Sequence, residues 1–147
     1  MTAEAPPEPS YEYFATLRIT LGAPLEVGPT PRGHHRIIPI TGGTVTGPSL
    51  TGTVLPGGAD WQYVAQNGTA ELDARYTLDL SGTKIGVTSR GLRRGPKEIL
   101  DRISRGEHVD PATYYFRTAV RLEAPAGDLA WLSESLFIGK ANATLPK

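Results

Sequence analysis

The sequence predicts an all-β fold, an antiparallel barrel of about eight strands, closed or nearly closed, with one short helix at one end. Three observations lead there. Apolar and polar residues alternate with a period of two along most of the chain. The 17 Gly and 13 Pro among 147 residues are spread out, which supplies turns throughout. Only one segment carries a convincing helical pattern.

Residues 1–10, MTAEAPPEPS, read as a flexible tail, and 11–147 as a single domain. Tyr13, Ala15, Leu17, Ile19 and Leu21 alternate with polar neighbours and form the first half-buried strand. Residues 22–33 read as loop and Arg36 to Ile40 as a short strand. From Gly42 to Leu55, glycines interrupt Val45, Leu50, Val54 and Leu55, the mark of a bulged or sharply bent strand. WQYVAQ, then Asn67-Gly68, then TAELDARYTLDL predict a hairpin with a two-residue primed turn. Ser81-Gly82 makes a second tight turn, so 61–90 form a three-stranded meander. In the middle strand Leu72, Ala74, Tyr76 and Leu78 share one face, and Asp73, Arg75 and Thr77 the other.

Gly95-Pro96 opens the helix, expected over about 96–105. Ile99, Leu100 and Ile103 form its apolar stripe and Gly106 ends it. That is enough to cover a barrel end. Tyr114, Phe116, Thr118, Val120 and Leu122 mark the next strand's apolar face, opposite Tyr115 and Arg117. Leu129 to Ala143, with Trp131, Leu136, Phe137 and Ile138, reads as a last strand or pair.

Lys+Arg and Asp+Glu are both 15, so the net charge is zero with His neutral. Nucleic-acid and acidic-membrane binders carry a basic excess, so neither is an expected partner. The absence of cysteine removes disulfides, thiolate nucleophiles and cysteine-based metal sites. There is no basic, apolar leader and no run of membrane-spanning length, so the expected location is cytoplasmic.

The chemistry-bearing residues fall into four groups. Asp60-Trp61 follows a Gly-Gly bend that either presents a carboxylate beside an indole at a barrel mouth or caps a turn. Asp73 and Arg75 share a strand face, as do Tyr115 and Arg117. Either face is a solvated one with weak ion pairs, or it points inward and orients a polar ligand. Arg90, Arg93 and Arg94 precede the helix start, as an anion site or as a basic surface loop. His34 and His35 are adjacent, so in a strand they point to opposite faces and cannot both bind one metal. No metal site is expected. There is no nucleophile elbow, phosphate loop or dinucleotide fingerprint, so no cofactor is expected.

PGGADW (56–61), LDARYTL (72–78), RGLRRGP (90–96), DPATYYFRT (110–118) and WLSESLFIG (131–139) occur in the order in which they resemble the DUF3237 family, also labelled UPF0311. The resemblance covers almost the whole chain from Tyr11. It implies a barrel like that of allene oxide cyclase and dirigent proteins, a fold used by cofactor-free cyclases and by binding proteins. Family members commonly have Asn-Arg where this chain has Ser133-Glu134, which would make a pocket here more acidic.

The expectation is therefore a cofactor-independent isomerase, cyclase or lyase acting by acid–base chemistry on a small, apolar, oxygenated compound. Its catalytic candidates are Asp60, Asp73, Arg75, Tyr115 and Arg117. Its substrate-binding candidates are Trp61, Tyr76, Trp131, Glu134, His35 and Arg90. A non-catalytic carrier and a structural, oligomer-forming barrel with a filled interior stand as alternatives. The direction in which Asp73 and Arg75 point discriminates between the last and the other two.

Overall fold

The computed structural model describes residues 3–143. β1 (Thr16–Leu21) and β2 (Leu25–Thr30) both pair antiparallel with β3 (Gly33–Thr46), β1 along its C-terminal part and β2 along its N-terminal part. β4 (Thr51–Val54) and β5 (Gly58–Val64) divide the other edge of β3 in the same way and pass it on to β6 (Ala70–Leu80). β7 (Thr83–Arg94), β8 (Tyr115–Glu123) and β9 (Leu136–Lys140) continue the antiparallel ladder. Phe14, just ahead of β1, packs on Phe137 of β9 with ring centroids 4.9 Å apart. It also meets Trp131 edge-on at 5.9 Å. Side chains thus join the first and last strands of a closed β-barrel core. The fold class read from the sequence holds, and the described residues form nine strands.

The long β3 bends because its register slips by one residue at Thr41: Leu21 pairs with Ile40 and Thr20 with Gly42. A one-residue slip moves side chains to the opposite face. Ile38 and Ile40 are buried before the slip and Val45 after it. Gly43 permits the bend, since its φ is +145° and a Cβ there would stand 2.1 Å from the Arg18 carbonyl oxygen.

Some local expectations are corrected. β2 occupies part of 22–33, where a loop was expected. Leu25 and Val27 are both exposed on it, so it has no buried stripe to betray it. The turn at Asn67-Gly68 is not primed. Gly68 N donates to Ala65 O, and Asn67 is not among the residues with positive φ. That is a type I turn followed by a left-handed glycine. The primed turn lies at Ser81-Gly82, with φ values of 55° and 96°. The expected last strand or pair over 129–143 begins instead with a 3-10 helix, Ala130–Glu134, which carries Trp131.

α1 (Lys97–Ser104) agrees with its expected span to within a residue and turns Leu100 and Ile103 inward. With Val109 and Tyr114 they form a small apolar cluster. A larger cluster, including Ile40, Val45, Leu78, Ile85, Val87 and Leu132, fills another part of the barrel. No helix among the described residues is long and apolar enough to cross a membrane.

Candidate functional site

Between the two apolar clusters the inward side chains change character. Along β7 they run Ile85, Val87, Ser89, Gly91, Arg93, and Arg93 is only 7% exposed. In cross-strand register, Asp60 of β5 shares a layer with Ile38, Ala74 and Ser89, and Gln62 with Arg36, Leu72 and Gly91. Asp60, Gln62, Ser89 and Arg93 are all buried. They form a polar belt, with Tyr76 below it in β6 and α1 above it.

The belt is wired in one direction. Arg36 Nε donates to Gln62 Oε1 (2.8 Å), and Gln62 Nε2 donates to Asp60 Oδ2 (2.7 Å). The Asp73 amide donates to Asp60 Oδ1 (3.2 Å). Burial pushes the Asp60 carboxyl above its ordinary value of 3.8, against the pull of Gln62, the Asp73 amide, Arg36 and Arg93. Burial, with Asp60 as a second cause, pushes the Tyr76 hydroxyl up to about 12, so it keeps its proton at neutral pH. The Arg93 guanidinium is held below its ordinary value, first by burial and then by the neighbouring Arg36. Its Nε is buried with no hydrogen-bond partner among the described residues, and its guanidinium carbon lies 5.9 Å from the Phe116 ring centre.

Of the residues expected from sequence, Asp60 and Tyr76 are brought to the belt. The others are not. Asp73 and Arg75 face outward, because the buried face of β6 is Ala70, Leu72, Tyr76, Leu78 and Leu80, so the inward pocket expected from that pair is not formed and the case for a site rests on Asp60 instead. They join Trp61 and Arg90 in a surface cluster: Arg75 is within 3.4 Å of Asp73 and lies over the Trp61 ring at 5.7 Å, and Arg90 is within 3.7 Å of Asp73. Tyr115 is exposed, between the guanidinium groups of Arg94 (4.6 Å) and Arg117 (5.1 Å). His35 stacks on Tyr63 on the outer face, at 4.2 Å between ring centres, and donates Nδ1–H to the Gln62 carbonyl (2.8 Å). Trp131 belongs to the barrel seam and Glu134 is exposed. Ser133 Oγ accepts from the Ala124 amide (2.8 Å), so at this departure from the family pattern the serine anchors the 3-10 helix.

An open groove of about 590 Å³ also crosses the outer face of β6, β7 and β8 over Gly86, walled by Arg75 and Arg121. It contains none of the buried charged groups. Charges facing water are screened, and those of the belt are screened much less. The belt is therefore the stronger candidate. Sequence reasoning missed Arg36, Gln62 and Ser89 as its members, and named Arg93 only together with Arg90 and Arg94 ahead of the helix, as an anion site or a basic surface loop. The signal for Arg93 was the period of two, which runs on from Ile85 through what looks like a basic loop.

The molecule is a β-barrel whose interior carries a buried carboxylate between guanidinium groups. Residues 9–145 match the family described as "Protein of unknown function (DUF3237)", and the chain belongs to that family. A UPF0311 protein of Bradyrhizobium diazoefficiens is 41% identical over 131 residues, covering 88% of this chain and 86% of that protein. The crystal structure of a conserved Rhodopseudomonas palustris protein is similar at TM-score 0.84 and 40% identity, covering 89% of this chain and 86% of the other. A protein from Acinetobacter baumannii described as β-barrel like matches at TM-score 0.70 and 35% identity, covering 90% of each chain. More distantly, PR-toxin biosynthesis cluster protein 7 of Penicillium roqueforti is 26% identical, covering 95% of this chain and 86% of that protein. The structure of an enzyme from Penicillium herquei shares the fold at 22% identity and TM-score 0.61, covering 89% of this chain and 86% of the other.

Proposed function

We propose that the barrel is an acid–base enzyme of the isomerase, cyclase or lyase type, acting without a cofactor on a small, mostly apolar, oxygenated compound held at the polar belt. The observation that carries this reading is Asp60. It is a carboxylate buried in a barrel, its proton affinity raised by that burial, with two guanidinium groups and a protonated phenol in the same interior. Raising a carboxyl's pKa from the acid range brings a general acid–base group nearer its working pH. In this reading Asp60 takes a proton from one carbon or hydroxyl of the substrate and returns it at another position, so that no electrons enter or leave. The Arg93 guanidinium donates to the oxygen on which negative charge builds up meanwhile, and the Tyr76 hydroxyl, on the other side of the Asp60 layer, is a donor to a separate part of the substrate. The relative named for a toxin biosynthesis cluster is in keeping with work on a small organic molecule.

One observation favours a carrier instead: both Asp60 oxygens already accept hydrogen bonds, from Gln62 and from the Asp73 amide. The two readings part on one variant. Native mass spectrometry of freshly purified protein is expected to reveal a co-purified small molecule. For an enzyme, Asp60→Asn abolishes its conversion while leaving its binding within a few-fold. Unchanged conversion in Asp60→Asn rejects the acid–base assignment.

A further inference from the structure

The belt's charges do not balance. Arg36 and Arg93 bring two positive charges to the inward face, and among the described residues Asp60 brings the one negative charge. Asp60 is already tied to Arg36 through Gln62. Neither arginine belongs to any of the ion pairs formed within 4 Å by the described residues. Arg93 is more than nine-tenths buried, and its Nε–H has no acceptor among the described residues. Phe116 presents a ring to the guanidinium, which does nothing for the N–H donors at its edge. An unpaired buried cation is strongly disfavoured unless something else supplies the opposite charge.

We propose, resting on the reading of the belt as a ligand site, that the guest is a monoanion, a small apolar body bearing one carboxylate, enolate or phenolate oxygen that seats on the Arg93 guanidinium. A guanidinium is suited to this, because it stays charged when buried and offers its donors in a fixed plane. With such a guest in place the interior holds two charges of each sign, and the orphaned donor has an acceptor.

The test uses the full chain, two variants and two probes of equal shape, benzoate and benzamide, read by thermal unfolding and calorimetric titration. In the unliganded protein Arg93 is an uncompensated charge, so Arg93→Met, which keeps the length and apolar stem, raises Tm by about 2–4 °C. Benzoate raises the Tm of the parent chain and benzamide raises it less. Arg93→Met weakens benzoate by about tenfold or more, and Arg93→Lys recovers part of the loss. A lowered Tm or failure to fold in Arg93→Met means that the protein itself holds this arginine, and overturns the proposal. Equal protection by benzamide overturns the anion while sparing the ligand site. Protection by neither compound removes both the anion and the site.

Discussion

Gln62 can take only one orientation in the belt, and that explains why a neutral amide is buried between charges. A guanidinium only donates, so Oε1 must face Arg36, and Nε2 must then face an acceptor, which Asp60 supplies. Gln62→Leu leaves a donor and an acceptor unsatisfied at once. It should lower stability by about 2–3 kcal/mol in urea unfolding, although a leucine is the more apolar residue. Asp60 sets a pH dependence of definite sign. Its folded-state pKa is raised, so the native state holds a proton that the unfolded chain has released. Its contribution to stability is then full below about 3.8 and falls as pH climbs through the raised native value. Asp60→Asn should flatten that fall when the two proteins' unfolding free energies are compared across the acid range. Tyr76, raised to about 12, behaves likewise from pH 10 upward, and Tyr76→Phe should lessen alkaline destabilisation. Asp60 and Tyr76 were legible in the sequence, one beside a Gly-Gly bend and one on an apolar strand face. Gln62 was not, because an indole next to it looked the better interior residue. The strand resolves the choice by alternation: with Asp60 inward, Trp61 must be outward and Gln62 inward.

At the scale of elements, the belt depends on α1 as its cover. The helix has eight residues, no side-chain cap at Pro96 and two buried side chains, Leu100 and Ile103. Its hold on the barrel is therefore mainly apolar contact, and Leu100→Ala should cost about 2–4 kcal/mol. Amide exchange in the β5–β6 turn should speed up in the same variant, because Leu100 sits directly over Gly68. A Cβ at Gly68 would lie 2.9 Å from Leu100 Cδ1. The helix was legible from its apolar spacing and its Gly-Pro entry. The turn beneath it was misread, because Asn-Gly serves a primed turn and a type I turn with a left-handed glycine alike, and loop length decides between them. β2 was illegible for another reason. It is an edge strand with Gly28 and Pro29 inside it, and its apolar residues face outward.

For the whole molecule, the hydrogen-bonded ladder runs from β1 to β9 and the aromatic seam of Phe14, Trp131 and Phe137 joins its ends. Phe14 is half-buried, so Phe14→Ala should cost about 2 kcal/mol, less than a fully buried phenylalanine would. The barrel itself was legible from alternation and turn spacing. Which face of each strand points inward was legible only where the apolar stripe was unbroken, as in β6. Where polar residues turn inward, as in the last part of β7, the pattern imitates an exposed loop, and that is where the belt lies.

The belt between Asp60, Tyr76 and Arg93 is, in the proposed function, a place for a guest. A crystal structure of the full chain, purified without denaturation and without added ligand, tests it most directly. Density for a small molecule in contact with Asp60 and with the Arg93 guanidinium is the expected result. A belt closed by its own side chains, with Arg93 bonded to main-chain carbonyls or turned out to solvent, would contradict it.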